Sequence, residues 1–366
     1  MLLFLATLCV LTSCGGPNYW PTNGWRTSTP EEQGIDSQKL VAMLEEVNQR
    51  SYAVDSIMVV RNGHIMMDIY RFPFKPVSRH IVHSCAKSVI SILIGIAIDR
   101  GEIEGVDQLM LDFFPETKVS NLDANKRAIT IEDLLTMRTG LRCQDSYLYR
   151  WRGLDDMRRS EDWAKYVLDL PMSERPGTRF EYCNGSSHLL STILYRATGQ
   201  TALEYAHEHL FGPLAIQDVY WPASPEGITF GWGQLSMRTH DMAKIGYLYL
   251  NEGKWDGKQI VSSTWVQMST RSHTAATLHD GYGYQWWVDS DGIYMALGYA
   301  GQYIFCLPDN DMVVVMTGTL HEDRFDVPAR LLRQYILPAA ASSKPLPANP
   351  DANKRLKQMA ADLIKL

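Results

Sequence analysis

The chain has 366 residues, enough to bury a large core as one elaborate domain or as two compact lobes. With 45% hydrophobic and 21% charged residues it reads as globular, and a formal charge of −6 with no basic patch excludes a nucleic-acid partner. The expected partner is a small molecule.

From the N-terminus, "MLLFLATLCVLTSC" offers an apolar run over residues 2–11 and then small residues, the pattern of a secretory signal, although the charged leader segment is missing. Leu11-Thr12-Ser13-Cys14 resembles a bacterial lipobox. That resemblance implies a signal over residues 1–14, lipidation of Cys14, and an exported protein, periplasmic or held to a membrane by the lipid. This run and the later one over residues 89–98 are both too short to span a bilayer.

"SIMVVRNGHIMMDIYR" (residues 56–71) has two β-rich runs around Asn62-Gly63, a hairpin signal. "VHSCAKSVISILIGIAIDRGEI" follows. Its Val, Ile and Leu residues leave almost no polar face, as in a core helix, and Arg100-Gly101 ends it. At the mouth of this helix Ser84 and Lys87 stand at i and i+3, on one face of the first turn. In "AITIEDLLTMRTGL", Thr130 reads as an N-cap with Asp133 three residues on and Gly140 as the stop; "THDMAKIGYLYLNEG" repeats this with Thr239 and Gly253. Between these two lies Tyr182-Cys183-Asn184, just before a helical pattern. Tyr249-Leu250-Asn251 has the same spacing but sits inside an apolar helix, where a core tyrosine explains it. Trp286-Trp287 and Tyr282-Gly283-Tyr284 read as a strand or pocket wall. Residues 293–318 read as consecutive strands turning at Pro308-Asp309-Asn310-Asp311, with Gly298-Tyr299-Ala300-Gly301-Gln302 on one of them, where glycines let a backbone approach a ligand.

Strands at both ends of the chain pair only if they meet in one sheet. The expected architecture is an α/β (α+β) sandwich, an antiparallel sheet flanked by helices with a mostly helical lobe inserted. The domain spans about 20–338, its sheet lobe about 20–83 and 286–338 and its helical lobe about 84–285; residues 339–366 form a linker and a C-terminal helix.

Apart from Cys9 and Cys14 the cysteines are Cys85, Cys143, Cys183 and Cys306. They show no CxxC or Cys/His spacing for zinc, and four are too few for a disulfide scaffold in a chain this size, so they are expected to be mostly free core thiols. Cys85 and Cys183 lie inside two of the motifs, close enough in prospect to react. His207-Glu208-His209 does not suggest a metal site, because i and i+2 side chains on a helix point apart. No metal and no cofactor is expected.

A lone Ser-x-x-Lys arises by chance roughly once or twice in a chain this long. Ser84-Cys85-Ala86-Lys87, Tyr182-Cys183-Asn184 and Tyr299-Ala300-Gly301, in that order between flanking strands, are more specific. They resemble the serine β-lactamase and penicillin-binding-protein superfamily, in which S-x-x-K opens a three-motif signature. Tyr-x-Asn in second place resembles the class C branch and its esterase and amidase relatives, and the similarity covers about residues 57–337. Fold and chemistry follow from the resemblance: a β-lactamase/transpeptidase-like serine hydrolase working through an acyl-enzyme, with Ser84 as nucleophile and Lys87 and Tyr182 as proton relay. It also implies Asn184 as a hydrogen-bonding partner of the lysine or substrate, and backbone N–H groups of Ser84 and Gln302, beside Gly301, as oxyanion donors.

The third motif departs from the family. Its first position is usually lysine, or histidine in some relatives, and here it is Tyr299. Without a cation there, carboxylate-bearing lactams bind less well, and esters or uncharged amides become the expected substrates. This is closer to the branch of 6-aminohexanoate-dimer hydrolase and related esterases. The alternatives are a true β-lactamase or D-Ala peptidase, or a low-turnover penicillin-binding sensor.

Overall fold

The computed structural model describes residues 19–145 and 150–365. The apolar leader and Cys14, the expected lipidation site, lie outside the described residues.

One eight-stranded sheet organises the molecule. Its strands are β1 (Arg26–Thr27), β2 (Val54–Arg61), β3 (His64–Tyr70), β4 (Gly281–Tyr282), β5 (Trp287–Val288), β6 (Tyr294–Gly298), β7 (Gln302–Leu307) and β8 (Met312–Gly318), in spatial order β1-β3-β2-β8-β7-β6-β5-β4. All neighbours run antiparallel except the edge pair β1–β3, which is parallel. The β2–β3 hairpin turns at Asn62 and Gly63, whose φ values of 50° and 74° give the double left-handed turn that Asn-Gly favours.

Both faces of the sheet are covered. Residues alternate along β2, so Ser56 bonds Thr239 at 2.9 Å on one side while Ile57 and Ile69 share a hollow with Leu44 and Leu363 on the other. Helix α1 (Ser37–Gln49) and the last helix α6 (Pro350–Leu363) lie on the Ile57 side. On the opposite side pack α2 (Cys85–Asp99) and α5 (Thr239–Leu250), where a Cβ on Gly246 would come within 3 Å of Val313 and Ile304. Burial on both faces explains why β2 is buried at every position despite its alternation. No helix among the described residues is long and apolar enough to cross a membrane.

Between the sheet halves run α3 (Ile131–Leu135) and α4 (Asn184–Thr198). The capping box at Thr130 and Asp133 forms as expected, but α3 lasts five residues and stops at Thr136, well short of Gly140. Gly140 instead takes a φ of +71° where its Cα abuts the carbonyl of Glu174. In α5 the cap is the backbone of Arg238, and Thr239 is already helical because its hydroxyl is drawn to Ser56. Gln285, buried with a left-handed φ of 62°, ties three helices together. Its backbone carbonyl accepts from Ser88 of α2, its side-chain oxygen accepts from Ser187 of α4, and its amide donates to Leu134 and Leu135 of α3.

The cysteine expectation is corrected here. Cys143 and Cys183 form a disulfide, while Cys85 and Cys306 remain free and buried. Cys85 lies instead under the carbonyl of Gln302, 3.5 Å away.

Candidate active site

Ser84 caps α2, and Lys87 rises from its first turn, so three residues of helix set the two side chains together. Lys87 is 1% exposed, and its Nζ has three partners: Ser84 Oγ at 3.1 Å, Asn184 Oδ1 at 2.8 Å and the carbonyl of Trp232 at 2.6 Å. Burial pulls the Lys87 ammonium down to about 7, against the pull of the Asp145 carboxylate, which favours the charged form. All three partners lie within 3.1 Å of Nζ. Trp232 O and Asn184 Oδ1 are acceptors only, so a neutral amine spends its two N–H groups on them and turns its lone pair to Ser84 Oγ. The other groups facing this amine are neutral: burial keeps the Cys85 thiol protonated and pushes the His83 imidazole below its usual value.

The second motif meets the first through the fold. Cys183 is the N-cap of α4, which puts Asn184 at the helix start against Lys87. Tyr182 precedes it with its ring centroid 5.0 Å from Lys87 Nζ, stacked on Trp287 at 6.0 Å. Asp145 holds this junction from behind: its Oδ2 accepts the Asn184 backbone N–H at 2.8 Å. Burial pushes its carboxyl up to about 6, an effect tempered by that hydrogen bond. Asp145 lies two residues beyond the Cys143–Cys183 disulfide, so covalent and hydrogen-bonded ties fasten the Tyr182–Asn184 segment side by side.

The third motif is the turn between β6 and β7 rather than a strand, because Ala300 and Gly301 have φ values of 62° and 93°. Gly298 is the point of close approach: a Cβ there would lie 2.3 Å from the carbonyl of Val82 and 3.2 Å from the amide nitrogen of Ser84. Gln302, expected as an oxyanion donor, is buried and does not line the cavity; its side chain donates to the Tyr299 carbonyl at 3.3 Å and the Gly318 carbonyl at 2.5 Å, which shapes the turn. Gly301 likewise faces Leu320 rather than the cavity. Tyr299 is 42% exposed and does line it; its hydroxyl donates to Glu322 at 3.1 Å, and burial with that acceptor holds its phenol above the usual value.

Ser84, Asp145, Tyr182, Trp287 and Tyr299 share a cavity of about 360 Å³. Sequence reasoning missed Asp145, the Trp232 carbonyl and Glu322. Backbone acceptors leave no trace in a sequence, and Asp145 and Glu322 sit in no motif. The one available signal was the even number of cysteines behind an export leader, which the reading of mostly free thiols passed over. The tyrosine at 249 is a core residue, bonded to Ser269 and packed on Trp286 at 4.5 Å. Among the described residues no cluster of metal-ligating side chains occurs, and His207 and His209 pack separately on Phe211 and Tyr205.

Comparison with known proteins places the family and the fold. The 6-aminohexanoate-dimer hydrolase of Paenarthrobacter ureafaciens is 26% identical over 313 residues, 79% of each chain. The hydrolase EstCE1, which has promiscuous acyltransferase activity, superposes with a TM-score of 0.69 over 82% of this chain and 99% of its own, at 14% identity. The octameric penicillin-binding protein homologue of Pyrococcus abyssi gives 0.60 over 85% and 79%, at 18% identity. At these identities the two superpositions speak to the fold alone. A model of the Beta-lactamase family matches residues 39–337, most of the chain and all three motifs, and the chain therefore belongs to the beta-lactamase family of hydrolases.

Proposed function

We propose that the protein is a serine acyl hydrolase for esters or uncharged amides, with Ser84 as nucleophile. The observation that carries this reading is the set of partners of Lys87 Nζ: Asn184 Oδ1 and the Trp232 carbonyl, both acceptors, take the two N–H groups of the neutral amine and leave its lone pair for Ser84 Oγ. Ser84 Oγ adds to the acyl carbonyl carbon as its proton passes to Lys87. The oxyanion is met by the amide of Ser84 and by the amide that follows Gly298, that of Tyr299, since Gly298 is the backbone brought against Ser84. The bond to the alcohol or amine then breaks, and the leaving group takes a proton through Tyr182. Water reverses the sequence: its oxygen bonds to the acyl carbon, its proton enters the relay, and Ser84 Oγ departs protonated. Asn184 and the Trp232 carbonyl fix the lysine, and Asp145 fixes Asn184.

The preference for esters and uncharged amides is supported by Tyr299, which offers a hydrogen-bonded phenol where lactam-binding relatives place a cation. Export with a lipid on Cys14 is part of the same proposal; the Cys143–Cys183 disulfide, which belongs to oxidising compartments, supports export. The test is intact-mass analysis after a fluorophosphonate, combined with kcat/KM for a short neutral ester and a cephalosporin in one preparation. A single adduct mapping to Ser84 and faster ester turnover are expected. An adduct that persists in Ser84→Ala refutes the nucleophile, and a cephalosporin turned over better than the ester refutes the substrate class.

A further inference from the structure

The cavity above Ser84 has a charge signature that acyl transfer alone does not require. Its charged wall groups are carboxylates, Asp145 on one side and Glu322 and Asp326 on the other, and no lysine or arginine is among its described lining residues. Lys87 lies beneath the floor with every hydrogen bond used. His279 also lines the cavity, its Nδ1 tied to Asp289 at 2.8 Å.

Asp145 is engaged with Asn184, which leaves Glu322 and Asp326 as the outward pair. Glu322 is held in place by the Tyr299 hydroxyl at 3.1 Å. Arg330 reaches Asp326 at only 3.8 Å because its guanidinium is committed to Glu46 at 2.7 Å. Around the two carboxylates stand aromatic rings: Tyr299 is edge-on to Phe325 at 4.9 Å, and Tyr303 and Trp287 complete the wall. Fixed anions beside π faces, in a cavity with no lysine or arginine among its described lining residues, are complementary to an alkylammonium group. A carboxylate in the same place meets two like charges.

We infer that the preferred substrates are cationic esters, carrying an alkylammonium group in the half that lies against Glu322, Asp326 and the Tyr299–Phe325 rings. This rests on the serine hydrolase reading and names its substrate class. Discrimination comes from partly exposed carboxylates, so it is modest and salt-sensitive.

The experiment uses the full chain and isosteric ester pairs. One pair sets a choline ester against its 3,3-dimethylbutyl counterpart; the other moves the trimethylammonium, and its neutral tert-butyl match, into the acyl half. For one pair kcat/KM is expected to favour the cation by about fivefold or more, and added salt compresses the ratio. The ratio falls in Glu322→Gln and falls further when Asp326→Asn is added. Asp351→Asn, which removes an equal charge from the exposed start of α6, keeps the wild-type ratio. Ratios at or below one for both pairs, or ratios that ignore Glu322 and Asp326, overturn the assignment. Neutral-ester turnover in Ser84→Ala separates the two levels: if it survives, the hydrolase reading fails; if it is abolished while the ratios are flat, only the substrate class fails.

Discussion

Replacing Asp145 with asparagine removes one charge and little volume, and its effect on the proton carrier follows from the geometry. Asp145 Oδ2 accepts the Asn184 N–H at 2.8 Å, and Asn184 Oδ1 accepts from Lys87 at 2.8 Å, so the carboxylate acts on the amine through one intervening residue. At a separation of roughly 6 Å and an effective dielectric of about 20, two unit charges interact by about 3 kcal/mol. One unit of pKa corresponds to about 1.4 kcal/mol. The sign is fixed: the carboxylate stabilises the ammonium, so removing it favours the neutral amine. In the wild type the active, neutral Lys87 accumulates as pH rises through about 7. In Asp145→Asn the rising limb of kcat/KM therefore moves to lower pH, by about one to two on the pH scale as an upper range, whatever happens to the plateau. Because nitrophenol itself titrates in this window, the assay is a pH-stat with an alkyl ester, and kcat/KM reports the free enzyme. A limb that stays in place or moves to higher pH refutes the coupling, even if the plateau falls.

Two further outcomes follow from the same site. Lys87→Ala and Tyr182→Phe should each lower kcat by about 10²- to 10⁴-fold, and the double variant little further, as the proposed shared relay requires; multiplying losses in steady-state kinetics argue for independent roles, and Tyr249→Phe should keep near-normal turnover. Opening the disulfide with Cys143→Ala and Cys183→Ala together releases a 40-residue separation and costs up to about 4 kcal/mol by chain entropy, read as a lower denaturation midpoint. Turnover should fall more than stability alone explains, because Tyr182 and Asn184 flank the lost bond. Unchanged kcat in folded protein refutes that positioning role.

The sequence showed what has a period or a turn signature. The Asn62-Gly63 hairpin, the apolar α2 and the Thr130 capping box are local devices, and local rules find them. The first two motifs were legible because, in order with the third, they resemble a superfamily's signature; the helical spacing alone is too common to single them out. What stayed hidden was contributed across the fold. The partner of Lys87 at Trp232 is a main-chain oxygen, Asp145 matters only because a disulfide brings its segment to Cys183, and Gln285 becomes a hub only when three helices converge on it. The third motif was found but its middle was read as strand where the structure has a turn, since the left-handed Ala300 carries no sequence warning.

The closing pair of the sheet has a consequence for biosynthesis. β2 and β8 are partners with Val59 opposite Val314, yet some 250 residues of chain separate them, and α6 is stitched back to the beginning through Phe72 N–H to Leu363 O at 2.9 Å and Asn353 to Glu31 at 2.7 Å. A growing chain on the ribosome holds only half of its central sheet until β6, β7 and β8 have emerged, and contacts of such sequence separation form slowly. Messages truncated before codon 312 lack β8 and leave the two halves of the sheet, β1-β3-β2 and β7-β6-β5-β4, unjoined, a species with exposed apolar edges for proteases to clear. A polypeptide that cannot complete its core until synthesis ends also stays unfolded longest, the state in which a secretion channel can thread it.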